Sequence, residues 1–400
     1  MKVTNNQRST TNLTKLMAVS VGHFTNDFYM NLIPPILFLF VQELGLSLAE
    51  QAFIAFVITS SGSFAQPIIG YFVDKRGKPW LVILSLVWIS FWMSMSGIIT
   101  NYYLLIIILG LGALASALFH PLGSAMAIKL GKKSRGKSLS IFMTIGGFAA
   151  SVSPMIAIPI VKAHGLKVLV FFMVPGILVA LFMYLSQVQN VDMNQTQLKN
   201  VEKSGKFDFH SVKWISALVF ISTNRVLIRI FLVTFGVQIM LSKQVDIKIA
   251  GVVLSAYLLA NSLGTIIGGY LNDIIGSKKV LVIFNVLAPL CMVMIVFTTG
   301  IPMITGFLFM GLTLSGSNTA NIVMTHELMP ENLNVATGLI MGLSGGLGGL
   351  CMLLFGKIAD IQGLITSASY LLIPLILVTL LTFLLPNEKS MLNQNTKITN

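Results

Sequence analysis

The sequence predicts an all-α integral membrane protein with twelve transmembrane helices in two six-helix bundles. Three observations lead to this fold class. First, 55% of the 400 residues are hydrophobic and only 10% are charged, whereas soluble globular chains carry about 25% charged residues. Second, the apolar residues form twelve runs long enough to cross a bilayer, which takes ~20 residues per helix. Third, the second half of the chain repeats features of the first.

The apolar runs are bounded by charged residues, Gly or Pro. A membrane β-barrel would show alternating segments of ~10 residues instead, and a spanning backbone must satisfy its own hydrogen bonds, so each run is predicted to be a helix. The first run exceeds the ~7–15-residue apolar region of a signal peptide and is kept as a spanning helix. The predicted spans are 16–41, 48–73, 80–99, 102–128, 138–161, 168–187, 214–241, 249–272, 280–298, 302–326, 333–358 and 364–385.

Almost all basic residues lie in the short breaks between spans. Counted on alternate sides of the membrane, 19 Lys and Arg fall on the side of the N-terminus and 5 on the other side. The positive-inside rule then puts both termini in the cytoplasm of a multi-pass protein of the cell (plasma) membrane. The net charge of +13 is therefore a topology signal, and we expect the lipid bilayer as partner and no nucleic acid.

The longest polar break, residues 188–213, falls near the midpoint and contains no run able to span. It predicts an N-terminal six-helix bundle at 1–187, a cytoplasmic linker at 188–213 and a C-terminal six-helix bundle at 214–400. An offset of 199 residues aligns segment 70–82 with 269–281, Gly112 with Gly311 and Gly146-Gly147 with Gly345-Gly346. One offset that holds at three separated places indicates a tandem repeat, and parallel repeats with a site at the midplane are a recurrent transporter plan.

Asp27 is the one carboxylate predicted to lie deep in a span. It stands about twelve residues into the first helix, or roughly 18 Å along it. A charge at that depth costs at least ~2.5–3.5 kcal/mol, so it marks a proton or substrate pathway by default. The alternative is that Asp27 only holds two helices together through hydrogen bonds.

Two histidines are predicted at a similar depth. His23 precedes Asp27 by four positions and shares its helix face, and His120 lies about as far from the cytoplasmic end of the fourth span as His23 lies from that of the first. Groups that titrate near neutral pH beside a buried carboxylate form a plausible proton relay. For each histidine alone, a packing role is the alternative, and convergence of all three within coordination distance would revive a metal site or an enzyme.

In the second half, Arg225 lies about twelve residues into the seventh span, and Thr223-Asn224-Arg225 aligns with Thr25-Asn26-Asp27 after a one-residue adjustment. Asp27 and Arg225 are therefore expected at equivalent places in the two halves, facing a central cavity with opposite charges. Alternatively, the planar fork of Arg225 binds an anionic group of a substrate. Further candidates for substrate binding are Asn26, Arg229, Asn318 and Asn321, with local pairing of Arg229 and interhelical hydrogen bonding of the amides as the alternatives.

One motif matches a nucleotide-binding pattern but lies in the wrong structural context. Segment 131–138 fits the phosphate-loop pattern G-x-x-x-x-G-K-S, but that loop must follow a buried strand, and here it joins two spanning helices. We therefore expect no nucleotide partner. No cofactor and no resident metal are expected either. Without a soluble nucleotide-binding domain, an ATP-driven pump is excluded as well.

The loop after the second span carries a specific signature. Gly70, Asp74, Lys75, Arg76, Gly77 and Lys78 spell G-x-x-x-D-[RK]-x-G-[RK], with Pro79 in place of the usual final basic residue. With twelve spans and a 6+6 repeat, the whole chain resembles the major facilitator superfamily. The resemblance implies a conformational latch at this loop, with Asp273 as the acid of a degenerate second copy, and a functional monomer.

Other residues resemble one branch of that superfamily. Gly146, Gly147, Ser153 and Pro154 are similar to a glycine-proline motif of drug/proton antiporters, although Ser153 stands where Gly is usual. His23-x-x-Asn26-Asp27 and Phe119-His120-Pro121 look like the fosmidomycin-resistance-type exporters. Many antiporters of the superfamily carry an arginine in the fourth helix, and this sequence has none there, so Asp27, His23 and His120 are expected to carry proton coupling.

The resemblance implies a proton-driven exporter that works by alternating access and is not an enzyme. Its cargo is expected to be a small polar or anionic compound, such as a phosphonate antibiotic or a secreted metal-chelating metabolite. A proton-coupled importer or a uniporter on the same fold remains open. A membrane receptor or channel is disfavoured, because the repeat argues against a receptor and no selectivity-filter-like segment is visible.

Overall fold

A computed structural model describes the backbone of residues 5–76, 78–131, 135–193, 209–329 and 333–386, and the side chains of 12–65, 69, 78–131, 138–193, 212–329 and 335–386. No β-strand occurs within these ranges. Twelve helical segments of the described chain are long and apolar enough to cross a membrane. The all-α prediction is confirmed. The spans begin and end within four residues of their predicted limits, except that the second span can be followed only to residue 65, where the described side chains stop.

The chain forms two compact units, residues 1–45 with 57–199 and residues 46–56 with 200–400. The helices of the first unit are α1 (Asn5–Met30), α2 (Leu37–Leu44), most of α3 (Leu48–Arg76), α4 (Trp80–Met95), α5 (Tyr102–Leu130), α6 (Arg135–His164) and α7 (Met173–Leu185). Short 3-10 turns, such as Pro34–Ile36 between α1 and α2, extend several of them. Within this unit α1 packs against α5 and α6, and α4 packs against α5 and α7.

The second unit has its own helical core. Its helices are α8 (Phe209–Ser242), α9 (Ile247–Ile275), α10 (Ser277–Phe297), α11 (Gly300–Leu328), α12 (Leu333–Thr337), α13 (Ser344–Gln362), α14 (Leu364–Tyr370) and α15 (Leu372–Leu384). A π-helical segment, Gly338–Leu343, joins α12 to α13. Helix α11 packs against α9 and α10, and α8 packs against α13.

The first turns of α3 belong to the second unit. The Asp360 carboxylate accepts hydrogen bonds from the backbone N–H groups of Leu48 (2.7 Å) and Ala49 (3.0 Å). These N–H groups stand at the N-terminus of α3, where a helix offers them no acceptor of its own. The buried Gln51 amide donates to the Thr234 carbonyl and to Gln238. The hydrogen-bonding groups at the start of α3 therefore find their partners within the second unit.

Glycines let α9 and α11 approach each other closely. An added Cβ on Gly264 would lie 2.4 Å from the Leu312 carbonyl oxygen, and one on Gly268 would lie 2.2 Å from that of Gly316. Spacing of small residues by four is the pattern that allows helix backbones to touch in a membrane. The neighbouring Gly269 has room, because its nearest such contact is 3.7 Å away.

We therefore expect Gly268→Ala to lower the free energy of unfolding of the second unit by about 1–3 kcal/mol, the usual cost of overpacking. Gly269→Ala is the matched control, and it should leave stability unchanged or raise it, since Ala favours helix over Gly by ~1 kcal/mol. Thermal unfolding of both variants in one detergent gives the comparison. Equal unfolding midpoints for the two variants would contradict this expectation, because they would show that α9 and α11 can move apart without loss of stability.

Candidate functional site

Three titratable side chains converge in the first unit. His23 and Asp27 lie one turn apart on α1, with His23 Nε2 3.3 Å from Asp27 Oδ2. His120, on α5, has its Nε2 3.4 Å from Asp27 Oδ1. The carboxylate thus offers a different oxygen to each ring, and the two histidines meet edge to face with centroids 5.0 Å apart.

Exposure is graded across this cluster. The side chain of His23 is 2% exposed, that of Asp27 19% and that of His120 32%. His120 is therefore the accessible end of the cluster and His23 its buried end. Asn26 is fully buried and donates to Asp27 Oδ1 at 3.0 Å, and its amide also contacts Ser116 Oγ on α5 at 3.3 Å.

The ring of His23 is fixed on three sides. Its Nδ1 lies 2.8 Å from the backbone oxygen of Phe142 on α6. The ring stacks on that of Phe142, with centroids 4.0 Å apart, and on that of Phe119 at 6.0 Å. A Cβ on Gly146 would lie 2.2 Å from the imidazole, so only glycine leaves room for His23 at this point of α6.

These contacts determine which nitrogen of His23 carries a proton. A carbonyl oxygen only accepts, so Nδ1 must donate to Phe142, and in the neutral ring Nε2 then holds a lone pair. That lone pair faces a carboxylate oxygen at 3.3 Å. Two acceptors in this position repel, whereas one additional proton on either atom makes a charge-assisted hydrogen bond. The His23–Asp27 pair therefore has a defined position for one exchangeable proton.

One possible metal-ligand atom from each of His23, Asp27 and His120 lies within 4.8 Å of the other two. The metal-site alternative requires these three residues to converge, and they do. Each histidine nevertheless faces its own carboxylate oxygen, which suits two hydrogen bonds at least as well.

The basic candidates lie on α8 in the second unit. Arg225 and Arg229 are one turn apart and partly buried, and Arg225 Nη2 contacts Ser222 Oγ at 3.4 Å. Asn321, on α11, donates to the Leu218 carbonyl of α8 at 3.0 Å, which is the interhelical bond considered as its alternative role. The side-chain oxygen of Asn318 is buried without a hydrogen-bond partner among the described residues.

The predicted latch falls largely outside the described side chains. Gly70, Asp74, Lys75 and Arg76 lie in the last turns of α3, but their side chains, and all of Gly77, are outside the described ranges. Lys78 and Asp273 are exposed, the latter near the end of α9. The latch therefore stays a prediction.

The predicted antiporter-like motif lies on α6. Gly146 is the residue that makes room for His23. Ser153 is fully buried, its hydroxyl has no partner among the described residues, and Pro154 lies inside the continuous helix. Gly146 thus connects the motif to the titratable cluster.

Three residues beside the candidate side chains of the two units were not predicted from the sequence. Phe142 acts through its backbone carbonyl, which every residue possesses, so no sequence signal existed for it. Ser116 resembles the many serines that bond within their own helix. Tyr257 on α9 is fully buried and interacts electrostatically with both arginines, but a single tyrosine inside a span has no spacing that would mark it in the sequence.

The described residues form twelve helices able to span a membrane, and three titratable side chains meet within those helices. These features are typical of a multi-pass membrane protein of the secondary-transporter class. The family model of the Major Facilitator Superfamily matches residues 19–242 and 230–399. The chain belongs to the Major Facilitator Superfamily.

Two bacterial relatives are similar over most of the chain. An uncharacterized MFS-type transporter, YfnC of Bacillus subtilis (strain 168), is 25% identical over 390 residues, covering 94% of this chain and 93% of the relative. The fosmidomycin resistance protein of Escherichia coli (strain K12) is 26% identical over 355 residues, covering 86% of each. The expected resemblance to the fosmidomycin-resistance branch is thereby confirmed.

Solved structures share the fold at low identity. A bacterial homolog of the human lysosomal transporter Spinster, in an inward-facing and unoccupied conformation, matches with a TM-score of 0.72 and 15% identity over 96% of this chain and 98% of its own. A mutant of the nucleoside transporter NupG matches with a TM-score of 0.73 and 14% identity over 94% and 99%. At these identities the likeness concerns the fold alone.

The close approach of α6 to His23 can be tested by a double-mutant cycle. We expect Gly146→Ala to lower the free energy of unfolding by about 1–3 kcal/mol, because its methyl group overlaps the imidazole. In a His23→Ala background the same change should cost close to nothing. Gly62→Ala, whose Cβ would have an ordinary contact at 3.5 Å, is the control. An equal cost of Gly146→Ala with and without the imidazole would contradict the assigned fit.

Proposed function

We propose that this transporter exports a small polar or anionic compound by proton antiport with alternating access. The candidate cargoes are an antibiotic such as a phosphonate, or a secreted metal-chelating metabolite. The observation that carries the proposal is the His23–Asp27 pair, where a ring fixed by the Phe142 carbonyl directs a lone pair at a carboxylate oxygen 3.3 Å away. The proton that must lie between them is the one we assign to coupling.

In this mechanism Asp27 is the coupling carboxylate and the histidines pass protons to and from it. His120 is the more exposed ring and sits against the other carboxylate oxygen, so it suits proton exchange with water. His23 holds the proton at the buried end. Asn26, which donates to Asp27 Oδ1, orients the carboxylate, although it also stays among the candidates for cargo contact.

The driving force for export would come from the proton gradient. A proton that moves inward across a membrane potential is worth ~2.3 kcal/mol per 100 mV, to which the pH gradient adds. Release of the proton from Asp27 to the cytoplasm would permit cargo to bind near Arg225 and Arg229, and reprotonation from outside would accompany cargo release. The excess of basic residues on the side of the N-terminus supports both termini in the cytoplasm, which would put the predicted latch of Asp74 and Asp273 on the cytoplasmic face of the plasma membrane.

Two further supports are indirect. The relative from Escherichia coli is a fosmidomycin resistance protein, and resistance is compatible with removal of a drug from the cell. Gly146, part of the antiporter-like motif, contacts the proposed proton carrier directly. If Asp27 only held α1 and α5 together, its contact with His120 would be explained. The unpartnered lone pair of His23 Nε2 beside the carboxylate would not be explained.

The test uses purified protein in sealed vesicles with a lumenal pH dye. A fosmidomycin-like phosphonate or an aminocarboxylate chelator is added outside. An antiporter exchanges entering cargo for lumenal protons, so we expect the lumen to become more alkaline, and Asp27→Asn to reduce this cargo-dependent flux to background because an amide cannot carry the proton. Glu43→Gln, which neutralises an exposed carboxylate at the end of α2, should behave like the wild type.

The other outcomes separate the alternatives. Lumenal acidification on cargo addition would indicate symport, as in the importer interpretation. Cargo movement without proton flux, unaffected by Asp27→Asn, would indicate a uniporter with a structural Asp27. A divalent metal that copurifies in one-to-one ratio and is lost in His120→Asn would favour the metal-site alternative.

A further inference from the structure

We infer that α8 and α9 carry a binding site for a dianionic group, formed by the guanidinium groups of Arg225 and Arg229 and the phenol of Tyr257. This inference rests on the proposed function in one respect, because it treats the dianion as part of the cargo. It adds Tyr257 to the site and assigns the charge of the ligand.

No described carboxylate of the second unit pairs with either of the two arginines. They lie one turn apart on α8 and interact with each other electrostatically. Among the described side chains, the close pairs between charged or titratable groups of opposite sign are those of Asp27, and none involves a guanidinium. The described carboxylates of this unit all belong to helix ends: Glu50, Asp246, Asp273, Glu327 and Asp360. Two unpaired cations within spanning helices are costly unless a ligand supplies the countercharge.

The same place holds hydrogen-bond donors without acceptors. The Nε atoms of Arg225 and Arg229 and the hydroxyl of Tyr257 are buried and have no hydrogen-bond partner among the described residues. Tyr257 is 0% exposed and lies within electrostatic range of both guanidinium groups. Buried donors are almost always paired in folded proteins, so three such donors on two helices that pack against each other indicate a ligand rich in acceptors.

The chemistry of the donors defines the ligand class. Each guanidinium presents a planar fork suited to two oxygens of one anionic group, and the phenol adds a single donor. A phosphonate, a phosphate monoester or a pair of carboxylates on one small molecule would neutralise both charges and occupy all three donors. A monoanion would leave one cation uncompensated, and a neutral ligand would leave two.

Ligand binding is measured by titration calorimetry on the full-length protein in a neutral detergent, so that no lipid headgroup supplies phosphate. The probes are methylphosphonate and succinate, at a pH where both are dianions, with acetate as the monoanion. We expect at least one dianion to bind at least ~10-fold more tightly than acetate. Arg225→Gln and Arg229→Gln should each weaken its binding on the order of 10- to 100-fold, the usual range for a lost charge-assisted bond.

Tyr257→Phe should weaken dianion binding by roughly 3- to 10-fold, because it removes one neutral donor. Its matched control is Tyr270→Phe, an exposed tyrosine on the same helix, which should bind like the wild type. Equal affinities for these two variants would remove Tyr257 from the site.

Thermal unfolding without ligand distinguishes binding from structure. If the empty site holds an uncompensated cation, Arg229→Gln raises the unfolding midpoint by a few degrees, and the dianion raises the midpoint of the wild type but not of the variant. A structural arginine would behave in the opposite way, with a lower midpoint in the variant.

Unchanged dianion affinity in both arginine variants, or equal affinity of dianions and acetate for the wild type, would overturn the inference. These measurements involve no gradient and no change at Asp27. Failure of the proton-antiport proposal in vesicles therefore leaves this test intact, and failure of the anion site leaves the His23–Asp27 proton position intact.

Discussion

The absence of water within the bilayer is the constraint on which this structure depends. A polar group there must find its partner within the protein, and this requirement turns each apolar run into a helix and makes every charged side chain in a span exceptional. The first unit meets the requirement internally: Asp27 receives contacts from two imidazoles and an amide. The second unit carries two guanidinium groups for which its described side chains offer no carboxylate. The same physical problem thus has two different solutions in the two halves of a tandem repeat.

Close packing by glycine follows from the same constraint, because helices in lipid adhere through contact rather than through exclusion of water. In the second unit Gly264 and Gly268 bring the backbones of α9 and α11 together. In the first unit Gly146 serves a different purpose, since the space of its missing side chain is filled by the imidazole of His23. A glycine in a spanning helix can therefore act on chemistry as well as on packing, because it sets the position of a ring whose Nδ1 bonds to a carbonyl and whose Nε2 faces a carboxylate.

The sequence predicted the parts of this protein that depend on periodicity and length. Hydropathy located the spans, and counting residues along antiparallel helices put His23 and His120 at one depth, where the structure brings both against Asp27. What it could not predict depends on rotation of one helix about its neighbour. The hydrogen bond from His23 Nδ1 ends on a backbone carbonyl, and the approach of Tyr257 to two arginines requires the packing of α8 on α9. Neither leaves a pattern along the chain, since a carbonyl is common to all residues and a single tyrosine has no spacing.

The two solutions have different consequences for the protein without cargo. A proton at the His23–Asp27 pair completes a hydrogen bond whose partners are permanent parts of the fold, so this site is intact whether or not cargo is present. The guanidinium pair is complete only when filled, and its electrostatic cost is borne by the empty state. Binding free energy for an anion is then partly the recovery of that cost, which links affinity to the instability of the unliganded second unit. If the alignment of Asp27 with Arg225 reflects equivalent positions in the two halves, opposite charges there have opposite consequences. On the proposed function, one position carries an exchangeable proton and the other depends on an anionic ligand.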